Sequence, residues 1–158
     1  MSQLEDKRTP TKVDLDAYNK ILILSTYSMG VCKPKQRKDK KGNFHDSNKH
    51  IPMRYSKIGE HIIKTIIEFG AMILDANSYY VGGNLNKNDR LNNYNNRIEL
   101  QTKAIARTYE VEHCIRMLHE HRPFAESTIS WWIYLLIDAR KSMIAWKESD
   151  VKIRRTLL

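Results

Sequence analysis

Groups able to act on a substrate or hold a metal gather late in the chain, where His113, His119 and His121 crowd one short stretch. Imidazoles are common ligands of divalent metals. Residues 119 and 121 stand two apart, so on a helix they point to different sides and do not converge on one ion. A helix C-terminus favours such histidines as solvated groups without any metal. Elsewhere there is no HExxH, and Gly82-Gly83 lacks the Lys and Ser/Thr that complete a phosphate-binding loop. Cys32 and Cys114 lie far apart with no zinc-ribbon spacing, and a buried thiol is the ordinary expectation for Cys114. Neither metal nor cofactor is expected.

One pattern points toward catalysis. Arg116 and His121 have the Arg-x4-His spacing that resembles the ribonuclease motif of HEPN domains. That resemblance implies an arginine and a histidine orienting phosphate and assisting attack by a 2′-hydroxyl. The polar residue usual after the arginine is replaced by Met117. Solvent-facing polar residues on a helix explain the pair as well, and the expectation is that the protein is not an enzyme.

Charge carries more information. The 158 residues hold 27 Lys and Arg against 18 Asp and Glu, a formal net charge of +9. Such a chain attracts polyanions at long range. Lys33, Lys35, Arg37, Lys38, Lys40, Lys41, Lys49, Arg54 and Lys57 face only Asp39 and Asp46 in the same stretch, which therefore holds most of the excess. An arm of this kind neutralises phosphates, with affinity that falls as salt rises and with weak sequence specificity. Phe44, His45 and Tyr55, within or beside it, suit stacking on unpaired bases. The same composition also describes a merely solvated segment. RNA or DNA is the expected partner.

Four helical segments must position these groups. The first runs from Asp14, its expected N-cap, to Val31, with Leu15, Tyr18, Leu22, Ile23 and Met29 at helical intervals. Residues 33–50 have little apolar content and no period, which predicts a mobile loop. The second helix follows Pro52 and reaches Tyr79, with Ile58, Ile62, Ile66, Phe69 and Ile73 in one row. Ile63, Ile67, Gly70 and Leu74 lie beside them. Gly59 and Gly70 offer close helix approach. The asparagine-rich stretch 81–96 predicts a loop, with the third helix starting between Asp89 and Asn95 and stopped at Pro123. Ile98, Ile105, Tyr109, Glu112 and Leu118 mark one side of it, with Ala104, Thr108, Val111 and Ile115 filling out the face. The fourth starts at Ser127, its expected N-cap, and runs to Lys147 around Trp132, Leu136 and Met143. No strand or hairpin is expected.

These segments predict an all-α, antiparallel up-down-up-down four-helix bundle over 14–149, with flexible termini at 1–13 and 150–158. The polar start lacks a signal peptide pattern, and no apolar run suffices to span a membrane, so the expected location is cytoplasmic. Trp131 and Trp132 point about 100° apart on a helix, as do neighbours in any adjacent pair. One of them must pack outside the core, which favours a homo-oligomer.

Ile51-Pro52 before the second helix, Ile73-Leu74-Asp75-Ala76-Asn77 at its end and Trp146-Lys147-Glu148-Ser149 carry a further resemblance. The chain resembles the four-helix-bundle family of the accessory variability determinants of diversity-generating retroelements and the proteins encoded in ribosomal RNA intervening sequences. That resemblance implies a homopentamer with a basic surface. It also implies an accessory role beside a reverse transcriptase and its template RNA, without an active site. It transfers no binding motif, so Arg90, Arg97, Lys103, Arg107, Arg140 and Lys141 join the candidate nucleic-acid contacts on charge and helix position alone. The insertion at 33–50 departs from the family, in which this connection is shorter.

Overall fold

The computed structural model describes residues 15–121 and 125–158, the side chain of Asp46 excepted. Four helices make the molecule: α1 (Asp16–Cys32), α2 (Ser56–Ser78), α3 (Lys87–His121) and α4 (Glu126–Leu157). Each packs on its neighbours in sequence and α1 closes against α4, so the bundle is the expected all-α, up-down-up-down one. A short ribbon of two antiparallel strands, β1 (Gln36–Lys38) and β2 (Phe44–Asp46), leaves the bundle between α1 and α2.

The core runs through the middle of all four helices. Ile21 and Leu24 of α1 meet Ile62, Ile66, Phe69 and Ile73 of α2, Val111, Ile115 and Leu118 of α3, and Trp132, Leu136 and Met143 of α4. Full burial of each large apolar side chain stabilises the fold by about 1.5–3 kcal/mol. Trp132 brings a polar N–H into this interior, and its Nε1 donates to Ser28 Oγ at 2.8 Å.

The row expected on α2 is right, apart from Ile58, which is only half-buried. Its two glycines sit where α1 comes close. A Cβ built on Gly59 would stand 3.1 Å from Ile51 Cδ1 and 3.3 Å from the Cys32 carbonyl oxygen, and one on Gly70 3.2 Å from Ile21 Cγ2.

Helix α1 is rotated from the expected face. Leu22, Ile23 and Met29 are exposed, and Ala17, Ile21, Leu24, Ser28 and Val31 point inward instead. The small Ala17 and Ser28 are core positions, Ser28 as the partner of the buried Trp132 N–H, a packing demand that hydrophobicity alone does not display. Ile67 and Leu74 of α2 and Tyr109 of α3 are likewise exposed rather than core.

Helix boundaries move for identifiable reasons. Asp14 and Pro123 lie outside the described residues; α1 is preceded by Leu15, which makes no side-chain cap. Helix α3 starts at Lys87, before the expected window. Asn86 Oδ1 accepts the Asp89 N–H at 2.8 Å, and its Nδ2 donates to Asp89 Oδ2 at 2.9 Å, a reciprocal cap that begins a helix within the asparagine-rich run. Helix α4 is preceded by Ala125, not capped by Ser127. It continues through the expected flexible end to Leu157, because Asp150 is buried and paired with Arg97 of α3.

Candidate nucleic-acid interface

The expected mobile loop at 33–50 is a built hairpin, and its turn chemistry is local. Gln36 pairs with Asp46, Arg37 with His45 and Lys38 with Phe44. Between the strands, the Gly42 N–H donates to the Asp39 carbonyl at 3.1 Å and the Asp39 N–H to the Asn43 carbonyl at 2.9 Å. Gly42 takes φ +85°, the left-handed conformation that closes a three-residue hairpin loop with a bulge. Asp39 organises the tip. Its Oδ1 accepts the N–H groups of Lys41 and Asn43, both at 2.9 Å, and its Oδ2 lies 2.7 Å from His45 Nε2. The His45 hydrogen bond, then that from Asn43, holds this carboxyl below the usual carboxylate range. The segment Asp39-Lys40-Lys41-Gly42-Asn43 was the sequence signal for a hairpin, hidden by the absence of apolar alternation around it.

The hairpin's stem is fixed to one end of the bundle. The Ser47 N–H donates to the Lys35 carbonyl at 3.0 Å, and the Ile51 N–H to the Val31 carbonyl at 2.8 Å. Ile51 is buried, and Ala125, just before α4, donates its N–H to the Asn48 carbonyl at 2.8 Å. The ribbon thus emerges where α1 ends and α4 begins.

All nine cations from Lys33 to Lys57 are exposed: Lys33, Lys35, Arg37, Lys38, Lys40, Lys41, Lys49, Arg54 and Lys57. Among the described residues, none of them forms an ion pair. Lys38 Nζ stands 5.9 Å from the Phe44 ring centre and Arg54 5.0 Å from that of Tyr55. Phe44 itself is 66% exposed, unusual for a phenylalanine with no core to join. Burial, together with Lys35 and Lys49, pushes the pKa of nearby His50 down, which disfavours its charged form amid these cations.

The candidates on the helices divide differently, and three are corrected. Arg97 makes a two-pronged pair with Asp150, at 2.9 Å through Nε and 3.1 Å through Nη2, and lies over the Trp146 ring. Arg140 is buried, pairs with Glu112 at 2.8 Å, donates to Thr108 Oγ1 and covers the Tyr109 ring at 3.7 Å. Arg107 is held between Glu68 and Glu110, and its pKa is raised, first by the Glu68 hydrogen bond. These three arginines tie helices together, and their charge is already neutralised by carboxylates. Lys103 is exposed beside Glu99 at 3.0 Å, Arg90 is half-buried, and Lys141 is exposed. The helix candidates do not converge on one surface with the hairpin.

Of the residues with catalytic spacing, Arg116 is exposed and donates to Glu112 at 3.0 Å, and His121 is exposed as the last residue of α3. Glu112 would be raised by its burial, but hydrogen bonds from Arg140 and Arg116 outweigh that and hold it low. His119 is half-buried, 4.0 Å from Glu126, while His113 is exposed. Among the described residues no group of three or more His, Cys, Asp or Glu is placed to hold a metal ion. Burial pushes the Cys32 thiol up to about 12.

Among the described residues no helix is long and apolar enough to cross a membrane. The chain matches no family model, no curated protein and no solved structure.

Proposed function

We propose that this protein is a non-enzymatic nucleic-acid-binding bundle whose basic hairpin engages the phosphate backbone. One observation carries the reading: nine cations between Lys33 and Lys57 are all exposed and lack carboxylate partners among the described residues, on a hairpin braced against the bundle. Cations placed merely for solubility need no organised tip, whereas here Asp39 and Gly42 spend their hydrogen bonds and backbone freedom on presenting Lys40 and Lys41. Lysine-dominated contacts bind backbone and discriminate poorly between sequences. The exposed Phe44 supplies a stacking surface for unpaired bases.

The resemblance noted in the sequence supplies the finer reading. The partner is a reverse transcriptase with its template RNA in a diversity-generating retroelement, and the working unit is a homopentamer in the cytoplasm. Exposed Leu22, Ile23, Met29, Ile67 and Trp131 support self-association, since each is a large apolar side chain left outside the bundle core.

Titration of labelled RNA and DNA across a salt series tests the hairpin. The wild-type protein is expected to bind at low salt with an affinity that falls steeply as salt rises. Lys38→Gln, Lys40→Gln and Lys41→Gln together are expected to lower the logarithmic salt slope by about 2. Binding that the triple variant leaves unchanged overturns the hairpin as the contact. A reverse transcriptase gene next to this one, and capture of that enzyme by the purified protein, test the partner.

A further inference from the structure

A second group of cations lies toward the opposite end of the molecule. Ala125, just before α4, touches the base of the hairpin, so the far end of this helix lies roughly 48 Å away at 1.5 Å per residue. From the middle of α4 toward that end, Ile105 of α3 and Ile144, Lys147, Glu148, Val151, Lys152 and Arg155 of α4 line a groove of about 270 Å³. Its apolar members are half-buried, while Lys152 and Arg155 stand exposed at its rim. Among the described residues none of its three cations is ion-paired. Glu148, exposed, is the carboxylate within the lining, and nearby Asp150 is occupied by Arg97 and Gln101, so the groove keeps three cations against one carboxylate. Lys87 and Arg90 start α3 at this same end, where Arg154 reaches across to Asn95.

A helix C-terminus attracts cations by its dipole, and that explains Arg154 and Arg155 in the last turn. It explains neither Lys147 and Lys152, which lie before that turn, nor the recessed apolar floor between them. An apolar floor with a cationic rim fits a ligand that is flat and apolar at one end and anionic at the other. A nucleotide of an unpaired strand has that form, with its base on Ile105, Ile144 and Val151 and its phosphates toward Lys147, Lys152 and Arg155. A bilayer is flat and wants a protruding apolar face, which a recessed floor does not give.

We propose that this groove is a second nucleic-acid contact, separate from the hairpin, so that one chain holds a strand at two places along the bundle. The inference rests on nucleic acid being the partner, and not on the hairpin being its site. Two contacts on one strand raise its effective concentration at each, so a strand long enough to span both binds more tightly than two short ones.

The test compares the wild-type protein with Lys152→Gln plus Arg155→Gln and with Lys40→Gln plus Lys41→Gln, using a labelled single strand of roughly thirty nucleotides across a salt series. Neutral glutamine on an exposed helix surface preserves the fold, and circular dichroism verifies it. Each pair is expected to lower the salt slope by about 1.4, the four changes together by about twice that. The groove pair is also expected to remove the advantage of the long strand over a short one. A groove pair that binds like wild type, with the hairpin pair impaired, overturns the second contact and leaves the hairpin reading intact. The reverse result removes the hairpin and keeps the groove. Sedimentation with phosphatidylserine vesicles that only the groove pair loses, with strand binding unchanged, assigns the groove to lipid and overturns the proposal.

Discussion

Arginine in this protein has two separate occupations, and they are distinguished by their carboxylates. Arg97 shows the structural one. It is nearly enclosed, fixed by both guanidinium prongs to Asp150, and Gln101 Nε2 supports the same carboxylate at 2.7 Å. Removing one partner strands a buried charge, a larger effect than the net worth of the pair. Asp150→Ala is therefore expected to destabilise the bundle by about 3–5 kcal/mol, seen as a lowered urea midpoint. Little change in the midpoint would mean that the end of α4 is not docked. Cys32 makes a second case at this scale. With its thiol pushed up to about 12 by burial against α2, almost no thiolate exists at neutral pH. Alkylation of Cys32 in the native protein is expected to be slow and to become fast in denaturant, which mass spectrometry of the labelled peptide checks.

At the scale of elements, a close approach and a turn each depend on one glycine. An alanine in mid-helix gains about 1 kcal/mol over glycine in propensity, while overpacking costs about 1–3 kcal/mol. At Gly70 the added methyl meets only the end of the Ile21 side chain, which can move, so Gly70→Ala is expected to be nearly neutral. At Gly59 it meets the Cys32 backbone as well, and Gly59→Ala is expected to be destabilising by about 1 kcal/mol in thermal unfolding. The hairpin tip responds to pH. The folded Asp39 carboxyl sits below its ordinary range, so its contribution is complete above the unfolded value of about 4 and is lost as pH falls through the folded one. Loss of protection at the Lys41 and Asn43 amides under acid, relative to the intrinsic exchange rate at each pH, while α2 stays protected, is the expected signature. Helix number, topology and the α2 core row were legible in the sequence because 3.6-residue periodicity is strong in Ile62, Ile66, Phe69 and Ile73. The hairpin was not, because strands that lean on no core show no apolar alternation. The face of α1 was misread because Ala17 and Ser28 are buried through smallness, and the pairing of Arg97, Arg107 and Arg140 needs partners distant in sequence.

For the whole molecule, charge and apolarity are divided between surfaces. The hairpin and the α4 groove each gather cations without carboxylate partners, whereas exposed apolar side chains gather along the sides of α1, α2 and α4. Leu22 joins two of the shallow cavities there, one shared with Ile66, Ile67 and Leu74 and the other with Ile23, Tyr27, Trp131 and Leu135. Trp131 is 49% exposed and stacks on Tyr134 with ring centres 5.1 Å apart. An aromatic pair ordered outside the core is the pattern of a contact between copies, where aromatic residues anchor interfaces. Copies meeting along the face of Leu22 and Trp131 would leave each hairpin free for a strand, and many weak phosphate contacts would then add up through multivalency. Trp131→Glu is expected to give a smaller particle by light scattering with unchanged helical content, since Trp131 supports no core packing within the chain. The same variant is expected to weaken binding of a long strand at least tenfold and binding of a short one hardly at all. A particle whose size the variant leaves unaltered removes this face as the interface and returns the tryptophan to an unpartnered surface.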